Sequence, residues 1–417
     1  MKILFVVDAR STISRNWIEN VIERGHSAYV LSSYPCASNI IAGATTYQIP
    51  IAFAQLARIG HNGTVASERP TTASSRALAS LRVGAWSGIS SALRTWLSPI
   101  ELNLHVEAAR ELIVGISPDV VHAMRIPFEA VLAAKATPPS TPLLVSVWGN
   151  DFTLFADRNP LIARQTRKTL RRADALHCDC RRDLKLAIEA WGFSEGKPAI
   201  VLPGAGGVDV STFNDQADAA GLREELEIAD DAPVIFNPRG FRGYVRNDVF
   251  FRAIPLILKE IPQAVFVCTG MQMNPIAEKW VTSLGVRGSV RLLPIVEHSL
   301  MADLFKVAQV AVSPSLHDGT PNSLLEAMAC GCFPVAGDIE SVREWISDGD
   351  NGLLCDPTSQ ESVAGAILRA LKSPELRERA KSRNLELVAQ RADSKQVTTE
   401  AEGFYQRVVN RSATITV

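Results

Sequence analysis

The stretch Val312–Val335, VSPSLHDGTPNSLLEAMACGCFPV, decides the fold. An apolar run ending at Ser313 gives way to a tight loop holding Asp318 and Gly319, and Thr320-Pro321 then opens a helix. Proline is favoured at the first helical position, because its missing N–H has no helical partner there and its φ is already helical. Thr320 is placed to cap this helix, and Gly331 to end it as a left-handed residue. The segment therefore predicts strand, loop, short helix, strand. Amides in the first turn of such a helix are unpaired, and the helix dipole adds partial positive charge there. Asp318 stands at the mouth of this anion site, with Gly319, Thr320, Pro321, Asn322 and Ser323 lining it, and Glu326 lies about two turns into the helix. A ligand that is phosphate at one end and polyhydroxyl at the other, such as a nucleotide sugar, suits an anion site flanked by two carboxylates. The alternative is a plain capping box in which Ser323 and Glu326 satisfy each other's ends of the helix.

Working outward, apolar strand runs alternate with helical periods along most of the chain. Ile3–Asp8, Ala28–Ser32, Asp119–His122, Pro142–Trp148, Ala175–Cys178 and Ala199–Leu202 form one series. After Gly204, Gly206 and Gly207 a second begins: Val234–Asn237, Ala264–Thr269, Val290–Leu293, Val310–Ser313 and Phe333–Ala336. Alternating strands and helices with near-continuously apolar strands mean parallel sheets covered on both faces. A chain of 417 residues is too long for one ordinary core. Two doubly wound α/β domains are predicted, 1–205 and 206–392, followed by a last helix at 393–417. Ligands in such sheets sit at the carboxyl ends of the strands.

A net charge of −1 argues against general nucleic-acid binding. No run of about 18 apolar residues spans a membrane. The opening MKILFVVDAR lacks a signal-peptide cleavage pattern and reads as a first strand. Seven cysteines, an odd number scattered through apolar runs, fit reduced thiols in a cytoplasmic protein. The pairs Cys178/Cys180 and Cys330/Cys332 are too tightly spaced for the usual zinc pattern, and Asp348-x-Asp350 before Asn351-Gly352 reads as turn chemistry. No metal or cofactor is expected. Residues 53–100 carry Arg58, Arg69, Arg76, Arg82 and Arg94 against one acid, Glu68, with Trp86 and Trp96 interleaved. A basic insertion of this kind is either a solvated loop or a peripheral contact with anionic lipid at the inner face of the membrane. Arg164, Arg167, Lys168, Arg171 and Arg172 add a second basic face at helical spacing.

The central stretch resembles the donor-site signature of the retaining glycosyltransferases of family 4 (glycosyl transferases group 1), written E-x7-E with EAMA-x-G-x-PV around the second Glu. Here it is Asp318-x7-Glu326, one methylene shorter at the first position, roughly 1.5 Å less reach. The run Pro238-Arg239-Gly240-Phe241-Arg242-Gly243-Tyr244-Val245-Arg246 resembles the family's diphosphate loop. Arg239 matches its first cation; Arg246, or failing that Arg242, matches its second. Leu202–Asp209 with Phe213 resembles the family's interdomain motif, and Pro294-Ile295 the segment whose backbone meets the nucleobase. Pro118–Met124 and Ser146–Asp151 resemble its acceptor-side segments, with Met124 and Trp148 where histidines usually stand. His122, Arg125 and Asp151 are then the acceptor-side candidates, although a histidine at a strand end serves more often as a structural hydrogen-bonder.

The resemblance implies the GT-B fold, two Rossmann-like domains facing across a cleft, with the chain's end returning to the first domain. It also implies transfer of a hexose-type sugar from a nucleoside diphosphate to a hydroxyl with retention. Arg239 and Arg246 would hold the diphosphate, Glu326 the ribose and Asp318 the sugar, and the leaving phosphate would take the acceptor's proton. The acceptor would be a growing polysaccharide or a lipid-linked glycan. Another enzyme on the same fold, a nucleotide-sugar epimerase or phosphorylase, and a non-catalytic sugar-nucleotide binder are the alternatives, the latter suggested by Met124 and Trp148.

Overall fold

The computed structural model describes residues 1–51, 101–216 and 219–415. The basic insertion expected at 53–100 lies outside them. The chain divides into two compact units. Unit 1 holds Met1–Asp179, Asp183–Ala205 and the chain from Ala401; unit 2 holds Cys180–Arg182 and Gly206–Glu400.

Unit 1 is built on a parallel sheet of β1 (Lys2–Val7), β2 (Ser27–Ser32), β3 (Thr45–Gln48), β4 (Val120–Met124), β5 (Leu143–Val147), β6 (Ala175–Cys178) and β7 (Ala199–Val201), in the order β3-β2-β1-β4-β5-β6-β7. Its helices are α1 (Thr12–Glu23), α2 (Val106–Ile116), α3 (Glu129–Ala136), α4 (Pro160–Arg172) and most of α5 (Arg181–Glu189). Ile3–Val7 are buried throughout, the mark of a central strand covered on both faces. The start of α4 follows from its sequence: Asn159 accepts from the amides of Leu161 and Ile162, and Pro160 takes a position that needs no N–H.

Unit 2 repeats the plan with β8 (Val234–Asn237), β9 (Val265–Cys268), β10 (Val290–Leu292), β11 (Val310–Ser313), β12 (Phe333–Gly337) and β13 (Leu353–Cys355), in the order β10-β9-β8-β11-β12-β13. Its helices are α6 (Ala220–Glu225), α7 (Asn247–Glu260), α8 (Pro275–Ser283), α9 (His298–Val307), α10 (Asn322–Ala329), α11 (Gln360–Leu371) and α12 (Pro374–Arg391), and α13 (Ser394–Ile415) starts here. Alternate residues of β8 serve opposite cores: Val234 and Phe236 join one, with Phe236 edge-on to Phe305, and Ile235 joins the other.

The strand runs read from the sequence become strands here. The two edge strands β3 and β13 escaped notice: Thr45–Gln48 is mostly exposed and carries no apolar run, and Leu353–Cys355 has only three residues. After Pro203, Gly206 and Gly207 both take positive φ, 83° and 88°. A Cβ on Gly207 would fall 2.5 Å from the Ala392 carbonyl oxygen, so only glycine lets the Val208 N–H donate to that oxygen (2.7 Å) while the Val208 carbonyl accepts from the Ser394 N–H (2.9 Å).

Candidate functional site

In each sheet the strand order reverses at one point, between β1 and β4 in unit 1 and between β8 and β11 in unit 2. Such a reversal opens a crevice at the carboxyl ends of the two strands. In unit 2 the crevice belongs to the loop after β8, which carries Arg239, and the loop after β11, which carries Asp318. The two side chains meet, Arg239 Nη1 lying 2.9 Å from Asp318 Oδ2, with only 11% and 13% of their side-chain surfaces exposed. The contact is an ion pair rather than an aligned hydrogen bond.

Both loops are shaped by their own polar groups. Asn237 accepts from the Arg239 amide (3.0 Å) and donates to Asn247 Oδ1 (2.9 Å), and Asn247 donates back to the Gly240 carbonyl (3.2 Å). Leu316 N–H donates to the Tyr244 carbonyl, tying the two loops together (2.8 Å). The Asp318 carbonyl accepts from Arg182 Nη1 (2.8 Å) and from Ser341 Oγ (2.7 Å), while its Oδ1 accepts from the Gly319 amide (3.2 Å). A Cβ on Gly337, at the end of β12, would fall 2.3 Å from the Ser315 carbonyl oxygen, so glycine is required for the loop to pass there. Sequence reading missed Arg182, Ser341 and Trp345, because nothing at their own positions marks them as supports of a distant loop.

The start of α10 differs from expectation. Pro321 is the extended residue before the helix (ψ 117°), not its first turn. Thr320 does not cap: its hydroxyl accepts from Trp345 Nε1 (3.1 Å). Ser323 Oγ is buried without a partner, so no capping box forms with Glu326. Gly331, at φ 71°, does follow the helix end. Glu326 shows some surface to solvent but stands deep among protein atoms, and burial raises its carboxyl to about 7 against the pull of nearby Arg239.

Arg246 stands apart from this group. Its guanidinium is committed to Asp248 at both ends (2.9 and 3.0 Å), and Asp248 also pairs with Arg252 (2.8 Å). The runner-up cation, Arg242, is exposed and donates to the Tyr244 hydroxyl (3.2 Å), which lies close enough to Arg239 to act on its charge. Pro294 and Ile295 lie beside the same crevice: the Pro294 carbonyl accepts from the Gly270 amide (2.9 Å), and Gly270 backs onto Gly240. Ile295 is 90% exposed there, next to the loop bearing exposed Met273.

In unit 1 the crevice between β1 and β4 holds Arg125, at φ 96°, and Asp151. Asp151 is fully buried and accepts from the amides of Trp148 (3.1 Å) and Ile126 (3.2 Å) and from Arg125 Nε (3.2 Å); burial lifts its carboxyl to about 6. The Arg125 guanidinium, 40% exposed, lies over the Trp148 and Phe155 rings. The Trp148 indole N–H is buried without a partner.

His122 is not on this surface. It is fully buried in β4, with Nδ1 2.6 Å from the Tyr405 hydroxyl and Nε2 2.7 Å from Ser146 Oγ. Ser146 continues to His177 Nδ1 (2.8 Å), and His177 Nε2 to the Leu202 carbonyl (2.9 Å). A carbonyl only accepts, so every proton is placed by working back from it. His177 carries its proton on Nε2, Ser146 donates to His177, His122 donates from Nε2 to Ser146, and Tyr405 donates to His122. The Trp17 indole N–H completes the chain by donating to Tyr405 (2.9 Å). Both histidines are neutral and spent on each other's neighbours, which corrects the placing of His122 with the acceptor.

The two reversal points, each with a cation–carboxylate pair beside it, define a protein of the doubly wound α/β class. Residues 196–386 match the family model described as glycosyl transferases group 1, and residues 43–204 match the glycosyl transferase 4-like domain. The chain belongs to this family of glycosyltransferases. Among curated relatives, D-inositol 3-phosphate glycosyltransferase of Xylanimonas cellulosilytica is 30% identical over 47% of this chain and 49% of its own length. Alpha-D-kanosaminyltransferase of Streptomyces kanamyceticus is 25% identical over 46% of this chain and 50% of its own length. The chain thus spans about half the length of the curated relatives it matches. The fold is GT-B. Sucrose-phosphate synthase from Thermosynechococcus elongatus superimposes with a TM-score of 0.73 at 15% identity, over 99% of this chain and 100% of that one. Anabaena Alr3699/HepE in complex with UDP does so with a TM-score of 0.70 at 15% identity, over 98% and 100%.

Proposed function

We propose that this chain transfers a sugar from a nucleoside diphosphate sugar to a hydroxyl acceptor, with retention at the anomeric carbon. The observation that carries this reading is the meeting of Arg239 and Asp318 at the carboxyl ends of β8 and β11, beside Glu326. Arg239 would hold the diphosphate, its planar fork matching phosphate oxygens. Arg242, bonded to the Tyr244 hydroxyl beside Arg239, is better placed as the second cation than Arg246, which Asp248 holds. These charges would stabilise the departing diphosphate as the glycosidic bond breaks. Glu326 would take the ribose hydroxyls and Asp318 the sugar. No carboxylate is assigned as general base; the leaving phosphate would accept the proton of the acceptor hydroxyl. No metal or cofactor enters this scheme.

The acceptor would be a growing polysaccharide or a lipid-linked glycan, with peripheral contact at the inner membrane face. The basic, acid-free face of α4 supports that contact. Among the described residues no helix is long and apolar enough to cross a membrane. A second reading is a small phosphorylated acceptor. The half-exposed Arg125 guanidinium between Trp148 and Phe155 favours it, and so do relatives named as inositol-phosphate glycosyltransferases.

The test is a thermal-shift panel of UDP, ADP and GDP with their hexose conjugates, without metal and then with magnesium. Ligand at 100 times its dissociation constant stabilises by about 2.7 kcal/mol, and a shift is expected with one nucleotide and its sugar. No shift with any of them overturns the reading. The anomeric configuration of the product then decides retention.

A further inference from the structure

Asp318 and Arg239 raise a question of order, since the proposed scheme asks each to bind a different part of the donor while each already binds the other. Their contact is close (2.9 Å) and almost closed to solvent, yet it is not an aligned hydrogen bond. Asp318 is held from behind: Arg182 and Ser341 both grip its carbonyl, and its Oδ1 takes the Gly319 amide. Arg239 is the partner with an alternative, because it stands at the tip of a long side chain beside Tyr244 at a glycine-bounded loop. A diphosphate brings more negative charge and more acceptor oxygens than one carboxylate, so it outcompetes Asp318 for the guanidinium.

We propose that Asp318 is a built-in competitor for Arg239, and that the sugar gains Asp318 only when a diphosphate has drawn Arg239 away. This rests on the donor reading given above and adds an order to it. Diphosphate and sugar then favour each other's binding, since each takes one member of the pair and coupling of this kind is reciprocal. A free sugar finds Asp318 occupied. A free nucleoside diphosphate must first break the pair, and only the intact conjugate recovers that cost through the sugar.

The experiment is calorimetric titration of UDP, ADP and GDP, and of UDP-glucose, ADP-glucose and GDP-mannose, into the wild type, Asp318→Asn, Arg239→Gln and the double variant. Asp318→Asn should bind the free diphosphate roughly three- to tenfold more tightly, because the competing charge is gone, and the conjugate should lose its advantage over the free diphosphate. A purely structural role for Asp318 weakens both ligands together and cannot produce this opposite movement. In the Arg239→Gln background the same change should have no effect. Equal or weaker diphosphate binding by Asp318→Asn overturns the proposal while the donor reading stands, and so does a gain that persists without Arg239. A wild type that binds none of the six ligands removes both. Asp318→Ser, which also lacks the charge, repeats the comparison if the amide variant fails to fold.

Discussion

Arg239 is the residue on which most of the proposed chemistry converges. Arg239→Ala should weaken nucleoside diphosphate binding by about 1.5–3 kcal/mol, the scale of a charge-assisted hydrogen bond, with unchanged calorimetric affinity counting against the assignment. The same titration separates the candidate second cations: Arg242→Ala should lose diphosphate affinity and Arg246→Ala should keep it. Glu326 gives a prediction of opposite sign for stability and for binding. Its folded carboxyl lies near 7, above its ordinary value, and no hydrogen bond to it is present among the described residues. The folded state therefore favours the protonated form, and the penalty grows as pH rises from about 4.5 to about 7 and is complete above that. Glu326→Gln should then raise stability at pH 8 by on the order of 1–3 kcal/mol while weakening nucleotide binding, with the melting temperatures of apo and nucleotide-loaded protein as the readout. How far these residues were legible is uneven. Arg239, Asp318 and Glu326 stood out because they sit at strand ends beside glycine or at helical spacing. The difference between Arg246, held by Asp248, and Arg242, donating to Tyr244, was not legible, because it lies in which partner each guanidinium meets in the folded chain.

At the scale of elements, the loop after β11 and the helix α10 act as one piece. Their opening was read from Thr320-Pro321 as a capped helix start, yet the tertiary partner Trp345 takes the Thr320 hydroxyl and moves the first turn on by one residue. Local propensity gave way to a buried hydrogen-bond donor that needed an acceptor. The close passage of Gly337 against Ser315 makes a sharp test. Gly337→Ala forces a methyl to within 2.3 Å of a backbone oxygen, so the loop must shift. The expected result is about 1–3 kcal/mol of destabilisation together with loss of nucleotide binding, measured by denaturant melts and calorimetry. Normal binding in this variant would show that the loop has room to give.

For the whole molecule, the relay from Trp17 through Tyr405, His122, Ser146 and His177 to Leu202 ties α13 to the sheet of unit 1 by groups with no spare valence. Burial lowers both imidazoles, His122 well below its ordinary value and His177 to about 4. The unfolded chain takes up these protons near pH 6.5 and the folded one does not. Stability is therefore complete above about 6.5 and falls as pH drops toward 4, a trend that Tm against pH would reveal. Tyr405→Phe removes one hydroxyl and strands two buried groups, the Trp17 N–H and His122 Nδ1. It should cost about 1–3 kcal/mol per group left unpaired, and it should expose the C-terminal helix to hydrogen exchange. Retained stability and protection would mean that apolar packing alone seats the helix.

The alternation of apolar strands and amphipathic helices is written in the sequence, and with it two parallel doubly wound units and the loops at their carboxyl ends. Periodicity and glycine placement are local properties, written where they act. The tertiary structure alone decided which polar groups are spent on the protein and which face a ligand. His122 looked like an acceptor-side residue until its two nitrogens met Tyr405 and Ser146, and Asp318 looked open until Arg239 closed on it. Hydrogen bonds and ion pairs join residues far apart in the chain, and a buried polar group must find such a partner or remain unsatisfied. No local pattern carries that information, because the partner is supplied by the fold.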